Sequence, residues 1–213
     1  MQVKLFEFNS IRVNTYLVYD ETKEAILIDC GTSTKDECME LKGFIDFHNL
    51  QLKHLFNTHL HFDHMLGNYF VYKTYGLRPQ YHQLEESIPN LKAQATLFGF
   101  SIDYQPIIAN HYLNEGDTIP VFGNITLRIL STAGHSPGGL SFYFKENNCI
   151  FTGDALFYHG IGRTDLWGGN YDLLIDSIKE KILTLPNKTK IFPGHGQFST
   201  VEEEKQYNPY IRI

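Results

Sequence analysis

The chain has 213 residues, 42% of them hydrophobic, which is enough apolar material for one sizeable core. We expect a single domain over residues 1–213, although two smaller domains would also fit this length. A formal net charge of −6 without any cluster of Lys and Arg argues against nucleic acid or an anionic membrane as the main partner. No apolar run reaches signal-peptide length at the start or the ~18 residues of a membrane span later, so we expect a cytoplasmic protein.

The first predicted elements are two short strands, at residues 13–19 and 25–29. Apolar and β-branched residues are concentrated there on both sides of a polar turn at 20–23, which predicts a hairpin. The next segment predicts a helix, because its apolar and aromatic residues fall on one face at the spacing i, i+3, i+4, i+7. These residues are Leu41, Phe44, Ile45 and His48.

Residues 52–57 are predicted as a strand and residues 65–75 as a helix, so the segment between them forms a strand-to-helix turn. That segment reads Thr58-His59-Leu60-His61-Phe62-Asp63-His64. In an extended backbone His59 and His61 point the same way, because side chains alternate with period two. Asp63 and His64 lie after the bend and can face a second position. One loop could therefore serve two metal ions.

The middle of the chain, residues 83–116, has a less regular pattern. It predicts either a lid or substrate-facing loop, or an ordinary helix with a connector, because length and polarity do not distinguish the two. The aromatic side chains of Tyr81, Tyr104 and Tyr112 are candidates for lining a substrate groove.

A second hairpin-rich block is predicted over residues 117–153, where Ile125 and Leu127 alternate with polar residues. A helix is predicted after it, with Asn170 or Asp172 as its N-cap. The apolar face of that helix is formed by Leu174, Ile178, Ile182 and Leu185. Two strand-rich blocks flanked by helices favour an α/β (α+β) fold with two stacked sheets between outer helices, a four-layer αββα sandwich.

Three further candidate ligands follow strand-like segments and have glycine neighbours: His135 in Ala-Gly-His-Ser, Asp154 in Thr-Gly-Asp-Ala and His195 in Pro-Gly-His-Gly. Glycine lets the backbone approach an ion closely. Taken singly, such residues are more often a hydrogen-bonded core histidine or part of a turn. Together with the first segment they make five histidines and two aspartates. Zinc and iron prefer such nitrogen and carboxylate ligands, and no thiolate is among them.

The sequence contains four motifs in this order: H-x-H-x-D-H, a histidine after T-A-G, an aspartate after T-G and a histidine in P-G-H-G. The combination closely resembles the metallo-β-lactamase superfamily, over a stretch from Ile28 to His195. The resemblance implies the αββα metallo-β-lactamase fold and two divalent metal ions, with zinc expected first and iron or manganese as alternatives. It implies that Asp29 supports the ligand turn. The implied ligands are His59, His61 and His135 for one ion, Asp63, His64 and His195 for the other, and Asp154 between them.

Such a pair of ions suggests a reaction mechanism. Two metals about 3.5–4 Å apart can share a bridging water, lower its pKa toward ~7 and hold a hydroxide nucleophile at neutral pH. We expect this hydroxide to attack a carbonyl polarised by the first metal, while the second stabilises the departing anion. Asp63 and Asp154 are the expected catalytic residues, because they would orient the hydroxide. A sulfur leaving group suits such a site.

Within the superfamily, the segment 160–166 (GIGRTDL) and the tail 203–210 are similar to the glyoxalase II-like group of hydrolases and, equally, to its relatives the persulfide dioxygenases. Arg163 and Asp165 in the first segment are more often a structural pair that fixes a turn than substrate contacts. Full-length glyoxalase II enzymes carry an additional helical region with basic contacts to glutathione, and we find no counterpart here. A small-molecule thioester is therefore the expected substrate, with glutathione left open.

The leading interpretation is thus a metal-dependent hydrolase of thioesters, similar to hydroxyacylglutathione hydrolases. The first alternative is a mononuclear iron persulfide dioxygenase, which by resemblance would use only His59, His135 and Asp154. Another is a lactone or β-lactam hydrolase of the same fold. A non-catalytic metal-binding protein is disfavoured, because a binding role does not need open metal positions.

Overall fold

Two β-sheets lie face to face in the computed structural model, which describes residues 1–102 and 106–211. The first sheet has the strand order β1-β2-β3-β4-β5, in which β1, β2 and β3 pair antiparallel and β3, β4 and β5 pair parallel. Its strands are β1 (Gln2–Phe8), β2 (Val13–Tyr19), β3 (Glu24–Ile28), β4 (Gln51–Phe56) and β5 (Pro79–Gln80). The expected first hairpin is therefore present as β2 and β3.

The second sheet has the order β13-β12-β9-β8-β7-β6. Only β9 and β12 pair parallel; the other neighbours are antiparallel. Its strands are β6 (Thr118–Phe122), β7 (Ile125–Ser131), β8 (Leu140–Phe144), β9 (Cys149–Gly153), β12 (Lys190–Pro193) and β13 (Ser199–Thr200). A separate small hairpin consists of β10 (Leu156–Phe157) and β11 (Gly160–Ile161).

Most of the helices cover the outer face of one of the sheets. The helices are α1 (Lys35–Phe47), α2 (Phe62–Met65), α3 (Asn68–Tyr75), α4 (Leu91–Leu97), α5 (Tyr171–Ser177) and α6 (Val201–Tyr207). Of these, α2 and α4 pack mainly against each other in a separate cluster. A 3₁₀ turn spans Gln83–Ser87, and α5 continues as a π-helical segment, Ile178–Ile182. In the part of the chain that the structure describes, no helix combines the length and the apolar character needed to cross a membrane.

Side chains that alternate between the two faces of a strand pack against the other sheet on one side and against the helices on the other. In β3, Ile26 and Ile28 pack into the core between the sheets, while Ala25 and Leu27 pack on the other side, in the cluster that contains Leu41 of α1. Side chains of a strand point alternately to the two faces, so a strand covered on both sides must be apolar throughout. This explains the nearly continuous apolar run that marked this strand in the sequence.

The second sheet is covered in the same way. Leu174 of α5 and Ile178 and Ile182 of its π-helical continuation pack with Ile150 and Ile191 of the sheet in a separate buried cluster. The order of layers is therefore helix, sheet, sheet, helix, and the predicted four-layer αββα sandwich is confirmed. The side chain of Asn170 accepts a hydrogen bond from Leu173 N at the start of α5, so Asn170 is the N-cap of the two candidates.

Several elements differ from the sequence expectation, and two of the differences lie near the candidate ligands or at a sheet edge. The strand β1 was not predicted. The single helix expected at residues 65–75 is divided into α2 and α3, and α2 begins early enough to include Asp63 and His64. At the junction, Gly67 N donates to Cys30 O (2.8 Å). A Cβ at Gly67 would lie 2.3 Å from Cys30 Sγ, so only glycine permits this close packing.

Phe151 in the central core provides a test of this packing. It is fully buried and contacts the rings of Tyr16 and Phe192, with centroids 4.9 Å away in both cases. We expect Phe151→Ala to lower the free energy of unfolding by about 3–5 kcal/mol, because it leaves a cavity between the sheets. Phe47→Ala is the matched control, since Phe47 is 81% exposed. Equal denaturation midpoints for the two variants would contradict this description of the core.

Candidate metal centre

Strand direction places the candidate ligands at one edge of the sandwich. The strands β7, β9 and β12 run in the same direction, because β7 and β9 are both antiparallel to β8 and β12 is parallel to β9. His135, Asp154 and His195 each follow one of these strands. The segment from His59 to His64 follows β4 of the other sheet. The structure thus brings together all seven side chains that the sequence singled out.

Three groups of three side chains are close enough to share an ion, and the third of them consists of Asp29, His59 and His64. In the first, one nitrogen from each of His59, His61 and His135 lies within 4.8 Å of the others. In the second, the same limit holds for one atom each of Asp63, His64 and His195. His195 Nε2 is 3.2 Å from Asp63 Oδ2. The first two are the groups that the resemblance implied.

Asp154 lies between the two groups. Its Oδ1 is 3.2 Å from His64 Nε2, and its Oδ2 is 3.6 Å from both His135 Nε2 and His195 Nε2. One carboxylate therefore contacts members of both groups, which is the position that a bridging ligand requires.

The donor set fits divalent metal ions. Nε2 of His59 and Nε2 of His61 are buried and have no hydrogen-bond partner among the described residues. Buried polar atoms are normally paired, so such nitrogens point to an absent partner. A cation surrounded by imidazole nitrogens and carboxylate oxygens would satisfy them, and zinc, iron and manganese accept such ligands.

The protonation states favour a cation as well. Burial lowers the pKa of His59 well below its ordinary value and that of His61 to about 3, so both imidazoles are neutral. Burial alone would raise the pKa of Asp154, but His64 and His195 hold it well below its ordinary value. Neutral imidazole and ionised carboxylate are the metal-binding forms of these side chains.

Like His195, whose pKa is also raised, His64 differs from the other three imidazoles of the cluster. Burial disfavours its protonation, but the carboxylates of Asp154, Asp63 and Asp29 outweigh burial and raise its pKa well above the ordinary value. A proton therefore supplies the positive charge in the absence of a metal ion, and a bound ion would displace it.

Asp29 anchors the ligand segment from behind. Its carboxylate accepts hydrogen bonds from Thr58 N (2.7 Å) and Thr58 Oγ1 (2.6 Å), and it lies 3.0 Å from His64 Nδ1. Its backbone is left-handed, with φ of 53°. Asp29 also lies near His59, but its oxygens are engaged by Thr58 and His64 Nδ1, which indicates support of the ligand turn.

Backbone carbonyls orient two further imidazoles. His135 Nδ1 donates to Arg163 O at 2.7 Å, and His195 Nδ1 donates to Arg12 O at 3.2 Å. With Nδ1 engaged, Nε2 of each ring faces Asp154. A partner on the far ring nitrogen fixes both the tautomer and the ring orientation of a metal-binding histidine.

The sequence analysis missed two buried residues that hold the ligand loops. Glu85 accepts hydrogen bonds from Leu60 N (2.8 Å) and Gly138 N (2.7 Å), and so ties the loop of His59 and His61 to the loop of His135. Gln94 accepts from Phe62 N (3.1 Å) and donates to Leu60 O (3.0 Å). Both come from the middle segment, where nothing in the sequence marks a side chain that bonds to a distant backbone.

An open cleft of about 410 Å³ lies over the seven side chains. Five of them line it, and its apolar wall includes Phe98 and Trp167. The middle segment therefore combines both expectations, because it contains the helix α4 and also faces the cleft through Gln94 and Phe98. Tyr81 and Tyr112 do not line this cleft; both hydroxyls donate to Glu86 Oε1 instead. Tyr104 lies outside the described residues.

Arg163 and Asp165 form a two-pronged ion pair at the rim of the cleft. Arg163 Nε and Nη2 donate to the two carboxylate oxygens of Asp165 at 2.6 and 2.7 Å. Such a fork fixes a turn, as expected for a structural pair. The Arg163 side chain also lines the cleft.

A family model described as the metallo-beta-lactamase superfamily matches residues 11–195. Among curated proteins, the hydroxyacylglutathione hydrolase GloC of Haemophilus influenzae is 33% identical over 99% of this chain and 98% of its own length. The mitochondrial persulfide dioxygenase ETHE1 of Mus musculus is 36% identical over 93% of this chain and 71% of its own length. A solved structure of TTHA1623 in a di-iron-bound form is 30% identical, with a TM-score of 0.85 over 98% of this chain and 100% of that chain.

The link between the two ligand loops can be tested at Glu85. In Glu85→Gln the amide offers one acceptor where the carboxylate offered two, so one buried N–H loses its partner. We expect the free energy of unfolding to fall by about 1–3 kcal/mol. Metal affinity should fall by roughly 10–100-fold, because the loops lose their common anchor. Denaturant unfolding and titration against a competing chelator measure the two effects.

Glu86→Gln is the matched control for this experiment. Glu86 is the adjacent carboxylate, is exposed, and contacts only tyrosine hydroxyls in the interactions described above. We expect its metal affinity to equal that of the unaltered protein. If both variants bind metal with unchanged affinity, Glu85 does not position the ligand loops.

Proposed function

The chain belongs to the metallo-β-lactamase superfamily, and on this premise we propose that it is a metal-dependent hydrolase of small-molecule thioesters. The proposal assigns one divalent ion to the group that contains His135 and a second to the group that contains His195. Asp154 would contact both. Zinc is the first expectation, with iron or manganese as alternatives.

The observation that carries this proposal is that the ligand cluster opens into the cleft. The side chains of His195 and Asp154 are 25% and 12% exposed, whereas structural metal sites are closed by protein ligands. A substrate can therefore approach the cluster, which favours catalysis over a scaffold or storage role.

Water is the nucleophile in this proposal. Among the described residues that line the cleft there is no serine, threonine or cysteine. Bound divalent ions would supply a water of lowered pKa and a Lewis acid for a carbonyl oxygen.

Asp63 and Asp154 orient the attacking water. Burial would raise the pKa of Asp63, but His64 and His195 outweigh burial and lower it, so the carboxylate is ionised at neutral pH. An ionised carboxylate is a pure hydrogen-bond acceptor and can hold a water in one orientation. His195 Nε2, 3.2 Å from Asp63 Oδ2, keeps that carboxylate in place.

A thioester suits this set of residues. A thiol has an ordinary pKa near ~8.5, so its sulfur leaves as an anion without a strong acid to protonate it. The similarity to GloC extends over nearly the whole length of both chains, and that protein is named a hydroxyacylglutathione hydrolase.

A second candidate function is persulfide dioxygenation. It is favoured by the 36% identity with ETHE1, although this chain spans 71% of that protein. In this alternative one iron would be held by His59, His135 and Asp154, and the second group of ligands would be unused.

Metal content and activity together separate the two functions. We expect about two divalent ions per chain in freshly purified protein, with release of thiol from thioesters in a panel that also contains lactones, β-lactams and a persulfide. One iron per chain, with oxygen uptake on the persulfide and no thioester cleavage, would replace the proposal by the second candidate.

His135→Ala tests the role of the cluster directly. We expect loss of bound metal and a fall in turnover on the order of 10³-fold or more, because a ligand of the first group is removed. His111→Ala is the control, since His111 is exposed and lies outside the cluster. A His135→Ala variant that retains both full metal content and full turnover would exclude the proposed ligand set.

A further inference from the structure

The cleft offers a substrate mostly apolar surface. Of the fourteen described residues that line it, five are candidate metal ligands, seven are apolar or aromatic, and two are polar, Gln94 and Arg163. Apart from the ligands, recognition of a substrate therefore depends on the apolar group. Ligand sites of this kind bind through apolar area and use a few polar groups for orientation.

Both polar residues already have partners within the protein. The Gln94 amide is already bonded to the backbone, through Phe62 N, Leu60 O and Pro89 O. The Arg163 guanidinium is held by both carboxylate oxygens of Asp165. Among the described lining residues outside the candidate ligands, Arg163 is the one cationic side chain, and Asp165 already balances its charge.

The apolar side chains come from separate segments and meet around the cleft. Phe62 stacks on Phe98 just after α4, with ring centroids 4.9 Å apart. Trp167 lies in the loop before α5, with its ring centroid 6.2 Å from that of His61. Phe157 belongs to the β10–β11 hairpin and lies beside His195 at 6.2 Å. Apolar rings therefore adjoin candidate ligands of both groups.

Two apolar side chains of the lining are exposed to solvent. Phe98 is 39% exposed, and Ile11, in the turn between β1 and β2, is exposed as well. Exposed apolar side chains that rim a concave site lose contact with water when a ligand enters, which stabilises the complex.

We propose that the physiological substrate is a neutral thioester with an apolar acyl or aryl group, and that the cleft does not recognise the carboxylates of a glutathione moiety. This inference rests on the proposed thioesterase function. In the reaction, water adds to the carbonyl carbon, the C–S bond breaks, and the products are a carboxylic acid and a thiol. The apolar wall holds the acyl or aryl group.

Trp167 allows a binding test that does not depend on turnover, because it is the only tryptophan in the chain. The probes are non-hydrolysable thioethers in matched pairs: S-methyl and S-hexyl N-acetylcysteamine, and S-methyl and S-hexyl glutathione. Each buried methylene tightens binding about fourfold at full burial. We expect each hexyl compound to bind at least tenfold more tightly than its methyl partner. The charged glutathione compounds should bind no more tightly than the neutral N-acetylcysteamine compounds.

Phe98→Ala and Leu97→Ala form a matched pair of variants. Phe98 lines the cleft, whereas its neighbour Leu97 is 69% exposed and does not. We expect the advantage of hexyl over methyl to shrink by at least threefold in Phe98→Ala and to stay unchanged in Leu97→Ala. Metal content is measured on both variants, because Phe98 stacks on the ligand-bearing segment. If metal is retained and the affinity ratio of hexyl to methyl compounds is the same in the two variants, the proposal is overturned.

Hydrolysis of two hexanoyl thioesters, one of N-acetylcysteamine and one of glutathione, separates this inference from the proposed function. Comparable or faster cleavage of the neutral compound supports both. Cleavage of the glutathione compound at least tenfold faster, together with its tighter binding, overturns the inference and leaves the thioesterase function standing. If neither thioester is cleaved, the proposed function fails, and the substrate class named here fails with it.

Discussion

Two carboxylates held in the interior among five imidazoles are the constraint on which the rest of the structure depends. Asp63 and Asp154 are largely removed from water, and a buried charge is costly unless it is paired. His64 and His195 lie within 3.6 Å of both and compensate part of that cost. Cations in the centre would complete the compensation. The ends of four strands, from two different sheets, must therefore meet at one place.

Several contacts fix this arrangement from outside the ligand set. Asp29 holds Thr58 and the far side of the His64 ring, and Glu85 joins two ligand loops through their backbone N–H groups. Each contact leaves the atoms that face the centre free. A centre held by its supporting contacts can keep an open position toward the cleft, and an open position distinguishes a catalytic from a structural metal site.

A feature could be predicted when it depends on residues close together in the sequence, and could not when it depends on contacts between distant residues. The strand β3 is covered on both faces and is apolar after Glu24, so it was recognised, whereas the edge strand β1 includes Lys4 and the exposed Glu7, which obscure its pattern. The seven candidate ligands carry a signal in their residue types and spacing. Glu85 carries none, because its partners lie 25 and 53 residues away and are backbone groups that any sequence possesses. The roles of the seven as ligands stay predictions.

The parallel pairing of β12 with β9 determines when the centre can assemble. His195 follows β12, and β12 begins at Lys190, 37 residues after its partner β9 ends at Gly153. Pairing over such a separation is slow, because loop-closure entropy is lost before the contacts form. During synthesis the histidines of the first group emerge well before position 195, so the nascent chain displays an incomplete chelating loop. The second group becomes complete only when β12 has docked beside β9 and His195 reaches Asp63 and His64.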